Sequence, residues 1–95
     1  MITFNLKKEW FNKIKSGEKT HEYRVVKPYW TNRLYKQLTK KNFECCFKLG
    51  YPKPEENDKI LYGEIIKIKV INGLESDLKI ECAVYDIEFK LVRRF

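Results

Sequence analysis

Ninety-five residues, 43% apolar and 15% aromatic, suffice for one domain with one core and are too rich in aromatics for a disordered chain. A formal net charge of +7 favours polyanionic partners, RNA first, with plain solubility as the alternative reading of a Lys-rich chain. No apolar run approaches a membrane span, Lys7, Lys8 and Glu9 interrupt any signal-peptide core, and one histidine without a C-x-x-C pair argues against a zinc site. A cytoplasmic protein without metal or cofactor is therefore expected, with Cys45, Cys46 and Cys82 as buried, reduced thiols.

Residues 2–6 alternate with Ile2, Phe4 and Leu6 on one face, which predicts an opening strand. Trp10, Phe11 and Ile14 make an apolar stripe, so a helix is expected over 7–16, ended by Gly17 in the left-handed conformation. Residues 19–26 (KTHEYRVV) are rich in Thr, Tyr and Val and read as a strand. Alternation there places Thr20, Glu22, Arg24 and Val26 on one side and His21, Tyr23 and Val25 on the other.

Pro28 suits a first helical position, and Trp30, Leu34 and Leu38 recur at helical spacing, which predicts a second helix over 28–38. A third strand is expected over 43–48 and a loop over 50–58, marked by Pro52 and Pro54. Residues 59–71 read as a strand in which Gly63 signals a bulge or a close backbone approach. Asn72–Gly73 is a turn signal, and 79–92 reads as a long last strand. Its apolar side switches near Tyr85, from Ile80, Cys82 and Val84 to Ile87, Phe89 and Leu91, so a bulge is expected there. The order β-α-β-α-β-β-β fits an α+β domain, either a small five-stranded, partly closed β-barrel with two short helices or a plain sheet.

The stretch Gly17 to Arg24 carries the most chemistry. It leaves a helix through a glycine and enters a strand with Glu22 and Arg24 on one face, where they can reach each other and a ligand; a modest surface ion pair is the bland alternative. Lys19, just after the turn, could hold a phosphate or act as a base if burial lowered its affinity for protons. The Gly-x-Lys-Thr spelling is not a phosphate-binding loop, because the upstream glycine of that motif is absent and Lys19 does not directly follow Gly17.

Trp10-Phe11-x-x-Ile14-x-Ser16-Gly17-Glu18-Lys19-Thr20-x-Glu22-x-Arg24 resembles the opening signature of ASCH domains, an aromatic followed by I-x-x-G-x-K-T-x-E-x-R. Lys27-Pro28-Tyr29-Trp30-x-x-Arg33-Leu34 is similar to the second helix of small phage and bacterial members, and Gly50-Tyr51 is a weaker match. The resemblance implies a PUA-like barrel with a cleft between barrel and helices, and an RNA- or nucleotide-binding role in RNA metabolism or translation-related regulation. Lys19, Glu22 and Arg24 are the cleft residues it carries over. It also implies an alternative: one bacterial group of the family hydrolyses N4-acetylcytidine and another member cleaves RNA. The amidohydrolases use a Lys-x-x-Thr pair and a Glu from a longer insert. Here Lys19 is kept, Glu22 stands in place of the threonine, and only residues 72–79 join the last two strands, with Glu75 assigned no role. A ribonuclease would pair Lys19 with a tyrosine such as Tyr51 or Tyr85, although tyrosines in barrels are more often core.

Lys27, Tyr29, Trp30, Arg33, Tyr35, Lys36, Lys40 and Lys41 mix positive charge with aromatic faces, a combination that holds single-stranded RNA. Trp30 is expected in the core, whereas Lys27 and Arg33 are expected to contact ligand and Tyr51 to stack at the rim. Arg93 and Arg94 add terminal charge. His21 is expected to be packed or solvated, since no partner for general-base work is evident. A protein-interaction domain without nucleic acid is the third possibility.

Overall fold

The computed structural model describes residues 1–92; Arg93 and Arg94 lie outside the described residues. Five strands and two α-helices follow one another as β1 (Ile2–Leu6), α1 (Lys8–Lys15), β2 (His21–Val25), α2 (Pro28–Thr39), β3 (Glu44–Leu49), β4 (Ile60–Asn72) and β5 (Ala83–Val92). The strands form one sheet in the order β1-β3-β4-β5-β2, parallel between β1 and β3 and antiparallel elsewhere. It curls into a half-barrel, with β1 and β2 as the edges of an open seam.

The apolar stripes explain the packing. Ile2, Phe4 and Leu6 of β1 face Phe11 and Ile14 of α1, Trp30 and Leu34 of α2, and Cys45, Phe47, Ile65, Ile87 and Phe89 of the sheet in one core. Phe4 stacks on Trp30 at 5.5 Å and on Phe47 at 5.6 Å between ring centroids. Gly17, with φ of +86°, ends α1 as its position in the sequence predicts.

Four expectations are corrected. First, β2 begins at His21 rather than Lys19, because the Lys19 N–H donates back to Lys13 O (3.0 Å) and ties residues 17–19 to the end of α1. Second, β5 begins at Ala83 rather than Lys79. Residues 79–82 fold onto the turn at Gly73, with Gly73 N–H donating to Cys82 O (2.7 Å) and Ile80 N–H to Gly73 O (3.3 Å).

Third, the bulge lies on β4 and not near Tyr85. Ile65 pairs with Phe89 and Lys67 with Glu88, so Ile66 is the extra residue, and on β5 the buried side changes a little further on, between Asp86 and Ile87, which face Lys69 and Ile68. Gly63 is a close approach instead: a side chain there would stand 3.1 Å from Lys90 O and from Phe47 Cε2. Fourth, Cys82 is exposed, since it sits in the loop before β5, whereas Cys45 and Cys46 are buried.

No described helix is long and apolar enough to cross a membrane.

Candidate functional site

The open seam between β1 and β2 holds a cleft of about 360 Å³, a size usual for small-molecule sites. β2 supplies Glu22, Tyr23 and Arg24, the turn before it Lys19, the helices Trp10 and Trp30, the linkers flanking them Lys7 and Lys27, and the β4–β5 connection Asp77. Four cations therefore face two carboxylates.

Glu22 is the hub. Its side chain is 7% exposed, and such a buried carboxylate must be paired. Oε2 accepts from Arg24 Nη2 at 2.7 Å, and Oε1 lies 3.6 Å from the Lys19 ammonium and accepts from its own strand's Tyr23 N–H at 3.3 Å. The alternation of β2 puts Glu22 and Arg24 on the same side, as the sequence predicts, and the turn that ties Lys19 to α1 brings the ammonium to the same carboxylate.

Aromatic rings hold the two cations. The Lys19 ammonium lies 5.2 Å from the Trp10 ring and 4.9 Å from the Tyr23 ring, and the Arg24 guanidinium lies 4.8 Å from Trp30 and 5.3 Å from Phe4. Arg24 Nη2 also donates across the seam to Asn5 O of β1 at 3.3 Å. Its Nε is buried without a hydrogen-bond partner.

Asp77 was not singled out in the sequence. Its carboxylate pairs with Lys19 from 58 residues away, on the short connection that also carries Glu75. Ser76, buried beside it, donates from Oγ to Gly73 O at 2.7 Å and fixes the turn. Nothing local in the sequence predicts this reach. Trp10, Trp30 and Tyr23 were equally hidden as cleft walls. The first two carry core stripes, and alternation points Tyr23 away from Glu22, yet at the sheet edge its ring lines the cleft.

Burial, followed by the charges of Asp86, Asp77 and Glu22, pushes the Tyr23 hydroxyl above its ordinary value, so its neutral form is favoured in the cleft wall.

The remaining expected site residues lie elsewhere. Lys27 lines the cleft, whereas Arg33 lies outside it, its guanidinium carbon 3.4 Å from the Tyr29 ring centroid. Tyr51 is 91% exposed and lines none of the described cavities. The preceding Gly50, bonded to Leu6 O and to the Asn5 side chain, holds the turn at the end of β3 against the end of β1 while the Tyr51 ring projects into solvent. The Tyr85 hydroxyl is bonded to Thr31 Oγ1 at 2.6 Å.

His21 pairs through Nδ1 with Asp86 Oδ1 at 2.6 Å, which orients the ring in a smaller depression that shares Trp10, Lys19, Tyr23 and Asp77 with the cleft. No group of three or more His, Cys, Asp or Glu side chains is gathered for a metal ion among the described residues.

Comparison with protein-family models, with curated proteins and with solved structures finds no match.

Proposed function

We propose that this chain is an ASCH-type, PUA-like domain that binds RNA or a nucleotide in the seam cleft. The observation that carries the reading is the convergence of Lys19, Glu22 and Arg24 between aromatic walls, with cations outnumbering carboxylates four to two. In this reading a base enters beside Trp10, Tyr23 and Trp30, and Lys19 and Arg24 donate to phosphate or to a base carbonyl. Glu22 acts by orienting the two cations, because both of its oxygens are already committed to them. Lys7 and Lys27 add positive charge along the lining. Three free thiols fit a reducing, cytoplasmic setting.

A second reading, a hydrolase acting on a modified nucleoside, is favoured by one observation: a carboxylate from the β4–β5 connection, Asp77, meets Lys19. To serve as a base the Lys19 amine has to leave its pairs with Glu22 and Asp77.

Incubation with RNA oligomers and modified nucleosides, N4-acetylcytidine included, followed by mass spectrometry separates the readings. Ligands recovered intact, together with saturable and salt-sensitive binding, support the binder. Product that disappears in Lys19→Ala makes the protein a hydrolase.

A further inference from the structure

A second basic feature lies outside the cleft. Between α2 and β1 runs a groove of about 460 Å³, with Arg33, Lys36 and Lys40 on its helical wall and Thr3 and Asn5 on its strand wall. Spacings of three and four residues put Arg33, Lys36 and Lys40, the last just past the end of α2, along one side of the helix. No Asp or Glu lines the groove, and none of the three makes an ion pair among the described residues. The cleft differs, since its two central cations are already neutralised by Glu22 and Asp77. Three uncompensated charges in one groove are a large part of the net +7 of the chain.

Groove and cleft adjoin at one residue of β1. Asn5 lines both. A ladder of stacked groups joins them: Arg24 over Trp30 at 4.8 Å, Trp30 edge-on to Tyr29 at 4.9 Å, and Arg33 over Tyr29 at 3.4 Å. Arg33 is held there by donation from Nη1 to Tyr29 O (3.1 Å), so part of its ordering cost is met before any ligand arrives. Tyr29 is 51% exposed, which leaves it ring surface for contact.

From this we infer that the groove is a phosphate track for a strand whose base occupies the cleft, so that the partner is a single-stranded RNA several nucleotides long rather than a free nucleoside. The inference rests on the RNA-binding reading of the cleft and adds a direction: the strand leaves past Asn5 and runs along α2 towards Lys40. Regularly spaced cations beside an aromatic face suit a flexible polyanion with bases to stack, the arrangement by which single strands are held. An acidic protein segment would use the charges but not the ring ladder.

The test uses a labelled RNA of about eight nucleotides and a nucleoside monophosphate, titrated into the wild type and into Arg33→Ala/Lys36→Ala/Lys40→Ala. Arg33 and Lys36 are exposed on α2 and Lys40 is exposed just past its end, so the variant is expected to fold. The octamer is expected to bind the variant roughly tenfold more weakly, with a salt slope shallower by about two, as three lost phosphate contacts require. Monophosphate binding, read by tryptophan fluorescence, is expected to be unchanged. A control variant, Lys67→Ala/Lys79→Ala/Lys90→Ala, removes the same charge elsewhere and is expected to leave octamer affinity within about twofold of the wild type.

Octamer affinity unaltered by the groove variant, while the wild type still binds monophosphate, overturns the track and leaves the cleft reading standing. An equal loss in the control variant also overturns the track, as does polyglutamate binding as tightly as RNA with the same sensitivity to the groove variant. Failure of the wild type to bind either nucleotide ligand overturns the track and the cleft reading together.

Discussion

Arg24 of β2 donates through Nη2 to the main-chain oxygen of Asn5 on β1, at 3.3 Å, across the one gap in the curled sheet. The same Nη2 meets Glu22 Oε2 at 2.7 Å, so one guanidinium both clasps the seam and neutralises the buried carboxylate on the cleft floor. Arg24→Ala leaves Glu22 with Lys19 alone and removes the clasp. The expected cost is about 2 kcal/mol, read as a lower midpoint in urea. Arg24→Lys recovers little of it, because an ammonium lacks the planar guanidinium that lies over the Phe4 and Trp30 rings. A midpoint equal to wild type would show that the clasp contributes nothing to stability.

The segment that delivers Asp77 depends on Gly73. A Cβ there would lie 2.5 Å from Ile80 O and 2.8 Å from Cys82 O, and both obstacles are backbone. Gly73→Ala is therefore expected to cost about 1–3 kcal/mol and to lower Tm by about 4–8 °C for each kcal/mol. An unchanged Tm in calorimetry would contradict the close packing of that turn.

Asp77 separates the two functional readings. Asp77→Asn removes a negative charge from the cleft and frees Lys19 of one carboxylate. A binder gains, with RNA affinity rising by about twofold to tenfold at low salt. A hydrolase that needs this carboxylate loses turnover instead. Weaker RNA binding with no turnover in either protein would count against both.

The thiols differ in access. Cys82 is exposed and is expected to react with a disulfide reagent within seconds at pH 8, while Cys45 and Cys46 react only on unfolding. Burial, then the neighbouring Cys46, pushes the Cys45 thiol up to about 12 from 9.0. The folded chain thus holds that proton more tightly than the unfolded one. The associated stability is fully present below about pH 9 and is lost as pH rises towards 12, at up to about 1.4 kcal/mol per pH unit. The urea midpoint of Cys45→Ala is expected to fall less steeply over that range than that of the wild type. Parallel slopes would show that Cys45 does not titrate across it.

Local periodicity located both helices and all five strands to within a few residues, because each element carries a short apolar pattern that faces one core. The same alternation put Glu22 beside Arg24. What stayed hidden was non-local. The bulge passed to Ile66 because register is decided by the partner strand, and β5 started late because Gly73 captured the bonds of residues 80–82. Asp77 reaches Lys19 only once the sheet is folded, and the aromatic walls read as core because Trp10 and Trp30 serve both purposes. Arg33 stood out as a mixture of charge and ring, but only the groove between α2 and β1 gives it Lys36 and Lys40 as companions.

Trp10 and Trp30 are the only two tryptophans of the chain, and both line the cleft. Tryptophan fluorescence during titration with short single-stranded RNA, at about 50 mM and about 200 mM salt, therefore reports directly on the site. RNA binding in the seam predicts saturable quenching whose midpoint moves to higher RNA concentration at the higher salt and which is weakened in Lys19→Ala. Emission unchanged by RNA of any base composition, at either salt concentration, would contradict it.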